Sequence, residues 1–325
     1  MTITTIENPD PTGELVNIWR EIPSEPNLCP GPSCFADTWI AREDAISRKL
    51  YNVAHDGIST FLITSNFKTV EYSTDNGITW TPSLIPQTYT GPIYAAAYGN
   101  GIWIAVGDTG LIARSIDNGV TWTGDNNTSI FNFDHVSSIV YDPIKALWVA
   151  VGFGVAIIAT SIDDGITWIE RANTFGAYNI YDIAYNGVDL YVAVGEAGNI
   201  STSINGIDWI AGISGTIQHL VSISYGGGYW IACGSGGTII ISNDGINWTT
   251  QSISSSNLNS IAYNANTKEW VIVANSGQIY TSRNRFIWEL QTNPFGTIHI
   301  NGVIAGCSSW VAVGDSGIVA TSSCS

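Results

Sequence analysis

Charge is scarce in this 325-residue chain. Charged residues make up 12%, about half the usual share of roughly 25%. Only 11 are Lys or Arg, against 27 Asp or Glu, for a net charge of −16. So few cations cannot track a phosphate backbone, so no nucleic-acid partner is expected. Docking on an anionic membrane surface is disfavoured for the same reason. Long apolar runs are missing, so no transmembrane insertion is expected. The start, MTITTIENPDPTGEL, has neither a basic n-region nor an apolar h-region, so no secretory signal peptide is expected. Cysteines number five, without a CxxC pair. The four histidines (His55, His135, His219, His299) stand far apart. That pattern excludes a zinc site; neither a metal nor any other cofactor is expected. Apolar residues at 45% and aromatics at 11% exclude a disordered chain and supply a sizeable core.

What is abundant is repetition. A five-residue phrase recurs from Trp103, Trp148, Tyr191, Trp230, Trp270 and Trp310, as in Trp-Val-Ala-Val-Gly, with a degenerate copy from Phe61. The first positions step by 42, 45, 43, 39, 40 and 40 residues. Seven copies at that period fit the blades of a propeller, four strands each. The phrase is short, β-branched and apolar throughout, which reads as a strand buried on both faces. A second phrase precedes it, beginning at Leu50, Ile93, Val136, Ile180, Leu220, Leu258 and Ile300. Its third position is small or short and polar (Asn52, Ala95, Ser138, Asp182, Ser222, Ser260, Gly302), as crowding near an axis demands. A third strand follows a glycine-rich hairpin, such as Gly107-Asp-Thr-Gly110 or Gly314-Asp-Ser-Gly317. The fourth phrase is Ser73-Thr-Asp75-Asn-Gly77-Ile-Thr-Trp80, repeated at 115–122 (Asp117, Trp122) and 161–168 (Asp163, Trp168). Shorter copies end at Trp209 and Trp248, and a worn one at Trp288. Asp and Ser fold such turns over nearby amides.

The last blade ends with three strands, and the reading assigns its fourth to Val16–Ile22, with Trp19 as the box tryptophan. The expected organisation is therefore all-β: a tail over 1–15 and one seven-bladed β-propeller over 16–325, closed by an N-terminal strand, with a loop insertion at 23–48. Closure leaves no open sheet edge.

The phrases at 73–80, 115–122 and 161–168 resemble the Asp-box, or BNR, repeat of sialidases. With the preceding Gly-Asp-x-Gly hairpins they are similar to the photosystem II stability/assembly factor family, a seven-bladed propeller. Such propellers also occur in phage and other viral particles. The resemblance implies a fold and little chemistry, because Asp-boxes are structural turns in those families. A sialidase needs three convergent arginines; here Arg283 and Arg285 fall in a box turn, on the opposite face, and Arg114 on a third strand. No catalytic residue and no enzyme activity are expected.

In a propeller, the loops from a fourth strand to the next first strand share one face with the second-to-third hairpins. Candidate binding residues there are Trp39, Tyr89, Asp108, Phe131, Phe133, Arg171, Phe175, Tyr178, Glu196, Phe295 and Asp315. Aromatics beside polar groups suit a binding surface; the alternative for each aromatic is folding back over the blades, and for each acid a turn role. In the last hairpin the reading places Asp315 and Ser316 in the turn, so that Gly314 faces Gly317 and Cys307 faces Cys324. That pair and Cys29–Cys34 are candidate disulfides, with Cys233 left as a buried thiol; the alternative is that all five are reduced. The favoured function is a non-enzymatic binding or structural propeller of a viral (phage) particle, such as a tail protein for host attachment. Its partners would be other proteins of the assembly, or a receptor or glycan on the host surface. An assembly factor binding an apoprotein intermediate, and a glycan-binding or glycan-hydrolysing propeller, are the alternatives. The virion is the expected location, with extracellular or cytoplasmic residence as alternatives.

Overall fold

A computed structural model describes residues 35–42, 48–85, 89, 91–126, 128–131, 135–154 and 156–322. Seven four-stranded antiparallel sheets are arranged as blades. In the first, Leu50–His55, Phe61–Ser65, Thr69–Ser73 and Thr81–Leu84 pair in chain order. Each innermost strand contacts the innermost strand of the next blade, and the strand at Leu50–His55 also meets that at Ile300–Ala305, closing the ring. The second strands form the dry centre of each blade: Phe61–Ser65, Tyr191–Gly195 and Trp310–Gly314 are buried at every position. The expected reading of that phrase as a doubly covered strand holds.

The ring closes through an N-terminal strand, but one later than expected. Trp39–Arg42 pairs with Val319–Ser322, with Trp39 opposite Ser322 and Arg42 opposite Val319. Val16–Ile22 and Trp19 lie outside the described residues, and the segment read as a loop insertion contains the closing strand. Trp39 performs the box-tryptophan task. Its indole N–H donates to Ala36 O at 3.0 Å, as Trp80 does to Gly77 O at 3.1 Å and Trp122 to Gly119 O at 3.0 Å. Arg42 Nε donates to Thr321 Oγ1 at 2.8 Å, as Arg171 Nε does to Thr160 Oγ1 at 2.9 Å.

A bulge interrupts the pairing of every innermost strand between its first and third residues: Leu50/Asn52, Ile93/Ala95, Val136/Ser138, Ile180/Asp182, Leu220/Ser222, Leu258/Ser260 and Ile300/Gly302. A bulged residue leaves the alternation of its strand and is aimed elsewhere. The glycine ending most second strands answers this bulge. At Gly234 an added Cβ would lie 1.8 Å from His219 O, and at Gly195 2.1 Å from Asn179 O. Close backbone approach, not a left-handed φ, requires glycine there.

The box hydrogen bonds are the same in the three full copies. Asp75 Oδ1 accepts from Ser73 Oγ at 2.8 Å and Thr79 N at 2.9 Å, while Gly77 N donates to Ser73 Oγ at 3.0 Å. Asp117 and Asp163 repeat the pattern, and Asp244 serves a shortened box.

The last hairpin differs from its expected register. Its left-handed residues are Ser316 and Gly317, and Gly314 N donates to Ile318 O at 3.0 Å. Val311 therefore faces Thr321, one residue out of step with the pairing that would have set Cys307 against Cys324. The left-handed pair is Ser316 and Gly317 rather than the expected Asp315 and Ser316, because glycine takes a positive φ without steric cost. Cys307 is disulfide-bonded; Cys29, Cys34 and Cys324 lie outside the described residues. Cys233 is a free, buried thiol.

Candidate binding face

The second-to-third hairpins and the starts of the innermost strands meet at one end of the central axis. Five of these hairpins are three-residue turns whose middle residue is left-handed: Thr109, Ala197, Gly236, Ser276 and Ser316. Asp108, Glu196 and Asp315 open three of these turns. The residue just before an innermost strand then caps the preceding blade's turn. Asn179 Oδ1 accepts from Gly154 N at 3.0 Å, His219 Nδ1 from Ala197 N at 3.1 Å, Asn257 Oδ1 from Gly236 N at 3.0 Å and His299 Nδ1 from Ser276 N at 2.9 Å. His135, at the same repeat position, pairs with Asp108. His219 and His299 thus share one structural task, and His135 occupies the same repeat position, which their wide spacing in sequence conceals.

The bulge positions carry the surface chemistry. Tyr51 and Tyr94 are bulged residues of the first and second blades, and both are half-buried. Their rings meet edge to face at 5.2 Å. Tyr94 lies 5.5 Å from Phe153, which packs on His135 at 4.6 Å. This aromatic platform spans three blades. Lys49 Nζ stands 5.2 Å over the Tyr51 ring and 3.9 Å from Asp315 Oδ1. Burial, then the charges of Asp315 and Asp108, push the Tyr51 hydroxyl above its ordinary pKa. Burial and Asp108 push Tyr94 up to about 12. Asp108 therefore acts on both rings and Asp315 on Tyr51, and a cation already rests there.

Further down the axis, Asp182 is crowded by neighbouring inner strands while keeping some access to solvent. It accepts from Ser138 Oγ at 2.7 Å, Ile223 N at 2.9 Å and Ile183 N at 2.9 Å, joining three blades. Burial raises its pKa against the pull of those hydrogen bonds.

The predicted surface aromatics fare differently. Tyr89, Phe131, Phe175 and Phe295 are all buried, so they anchor loops onto the blades rather than present a surface. Phe131 packs on Trp168 at 6.1 Å, and the Tyr89 hydroxyl donates to Pro92 O. Trp39 is buried in the closing strand. Tyr178 is 48% exposed, Arg171 is tied to Thr160, and Phe133 lies outside the described residues. Asp108, Glu196 and Asp315 are turn residues, each with a local partner: His135, Asn179 N at 3.2 Å and Asn301 Nδ2 at 2.9 Å. Phe153, at the end of a second strand, stands one residue past the glycine that closes the buried phrase; Tyr51 and Tyr94 were missed because alternation places the second residue of an innermost strand inside the blade, and only the bulge turns it out. The one signal was Tyr recurring there, at Tyr51, Tyr94 and Tyr181.

Fold and boxes together define an Asp-box β-propeller. Residues 71–82 match the BNR/Asp-box repeat family. The chain shares its fold with YCF48 bound to D1 peptide, at 15% identity and TM-score 0.71 over 90% of this chain and 99% of that one. YCF48 from Cyanidioschyzon merolae aligns at 12% identity and TM-score 0.66, over 87% and 98%. A catalytically inactive virginiamycin B lyase from Staphylococcus aureus with quinupristin aligns at 11% and 0.76, over 87% and 98%. A search of curated protein sequences gives no significant match. The expected resemblance to the photosystem II assembly factor family thus holds in fold. Among the described residues, no His, Cys, Asp and Glu gather in a group able to hold a metal, and no helix is long and apolar enough to cross a membrane.

Proposed function

We propose that this propeller is a non-enzymatic binding module whose axial mouth holds a cationic segment of a partner protein. The observation that carries this reading is Lys49 resting on Tyr51 beside Asp315, at a platform extended by Tyr94 and Phe153. Aromatic faces flanked by carboxylates attract Lys and Arg side chains by ring quadrupole and charge together. The YCF48 structure with its D1 peptide supports a peptide or protein as the occupant of such a fold. The net charge of −16 suits a basic partner and speeds its approach at low salt. We further propose that the setting is a viral particle, where a rigid disc of this kind serves as a structural or attachment component.

Titration of Lys/Arg-rich peptides, with Glu-rich peptides of equal length as controls, tests the mouth. Basic peptides should bind, weaken with salt, and lose about tenfold in affinity, roughly 1.4 kcal/mol, in a Tyr51→Ala/Tyr94→Ala variant. Equal binding by that variant, or no preference for basic peptides, overturns the assignment. Mass spectrometry of purified particles tests the setting separately.

A further inference from the structure

The opposite face, where the box turns lie, departs from its own repeat at one place. Five boxes put glycine at the position before the final turn, Gly77, Gly119, Gly165, Gly206 and Gly245, with φ between +72 and +85. Their neighbour is an aliphatic side chain of the preceding blade; a Cβ on Gly245 would lie 2.6 Å from Leu190 Cδ2, and one on Gly206 2.8 Å from Leu147 Cδ2. The sixth blade has Arg285 there, at φ +72, a conformation that long side chains avoid. The facing residue differs as well: Tyr229 stands where the two blades before it have Leu147 and Leu190, and the guanidinium lies 3.8 Å from its ring centre. Arg285 thus departs from the glycine of the other five boxes and is stacked on an aromatic ring, and backbone strain of this kind is tolerated where it positions a group for use.

Arg285 forms one wall of a cleft of about 340 Å³, with Lys268, Arg283, Tyr263, Trp270 and Gly227 among the others. No acidic residue lines it. Three of the chain's 11 cations thus share one cleft in a protein with 27 acids. Arg283 is held at the far wall, 3.5 Å from both Asp37 and Glu269. Lys268 and Arg285 have no carboxylate partner among the described residues, and Arg285 Nε is enclosed without an acceptor. Gathering unneutralised cations costs free energy by mutual repulsion, and a bound anion removes that cost. The volume is at the lower end for small-molecule sites, which begin at about 300 Å³.

We propose that this cleft binds an oxyanion of the phosphate or sulfate class, free or as a small ester. Lys268 supplies a point charge and Arg285 a planar donor fork held by Tyr229, with Tyr263 lining the same cleft. The site lies on the face opposite the aromatic mouth and stands independently of the function proposed for it.

Calorimetric titration of the full chain with inorganic phosphate, inorganic sulfate and phenyl phosphate tests this. Millimolar or tighter binding is expected, weakening as salt rises. Arg285→Gly restores the residue the other boxes carry, so it should fold with an unchanged circular dichroism spectrum and lose about tenfold in affinity. Lys268→Gln should lose a similar factor. Tighter binding of phenyl phosphate than of phosphate identifies an ester as the occupant; equal binding identifies the free ion. Absence of binding by the unaltered protein, or unchanged affinity in both variants, overturns the proposal.

Discussion

The first three boxes and the seventh solve the same problem by different means, with the worn sixth between them. In the boxes of 73–80, 115–122 and 161–168, an Asp, a Ser and a Gly satisfy one another within eight residues. At the worn sixth box, Asn284 replaces the Asp and Arg285 the Gly, yet the indole of Trp288 still donates to residue 285 O at 3.1 Å. At the seventh, Ala36 N donates to Glu269 Oε2 at 2.8 Å, a partner 233 residues away. Local sequence builds the boxes up to the sixth; the closed ring completes the seventh. What the propeller conserves is the tryptophan wedged between blades and its bond to the turn carbonyl, while the turn chemistry can be lent by a neighbouring blade.

Intact and worn boxes should differ most at their tryptophans. Trp122→Ala removes a buried ring between blades and should cost about 3–5 kcal/mol. Trp288 is only half-buried, so Trp288→Ala should cost roughly half as much; chemical denaturation compares the two. Equal losses would mean that the worn box is packed as firmly as the intact one.

The seventh box depends on Glu269. Glu269→Ala leaves the Ala36 amide without its acceptor and should destabilise by about 1–3 kcal/mol. Glu269→Gln keeps an acceptor and should lose less, in the same denaturation assay. Identical losses would show that the charge facing Arg283, rather than the amide bond, holds the seventh box.

Acid separates the boxes more gently. Hydrogen bonds from Thr121 hold Asp117 below the ordinary carboxylate range, and those from Asn247 hold Asp244 well below it. For Asp75 and Asp163 burial pulls upward, and the hydrogen bonds from Thr79 and Thr167 outweigh it. A carboxylate depressed in the folded state stabilises above its unfolded pKa, and that contribution fades as pH falls through the folded value. Asp182 and Glu269, raised chiefly by burial, act in the opposite sense, since their contribution is present at low pH and lost as they ionise. The melting temperature should therefore fall below about pH 4, and Asp244→Asn should flatten that fall while Asn284→Ala leaves its slope unchanged.

The smallest expected effect is chemical. Burial, with the charge of Asp182 beside it, pushes the Cys233 thiol far up, so native protein should resist alkylation there until unfolded. Peptide mapping without reductant should recover Cys307 in a cross-link and identify whether Cys29, Cys34 or Cys324 is its partner.

The amino-acid sequence by itself determined seven blades, their four-strand plan, the buried second strands and the boxes, because each is written in local, repeated periodicity. Even the closing strand left a local trace: Trp39-Ile-Ala stands 11 residues before Leu50, and Trp209-Ile-Ala 11 before Leu220. The tertiary structure decided which segment closes the ring, since the pairing of Trp39 with Ser322 joins residues whose own neighbourhoods do not specify each other. It also decided the binding face. A bulge turns Tyr51 and Tyr94 outward, whereas Phe131, Phe175 and Phe295, equally apolar in sequence, find room beneath their loops. Alternation along a strand is a property of the chain; where one residue leaves that alternation, and which ring fits under which loop, is set by the packing of neighbouring blades.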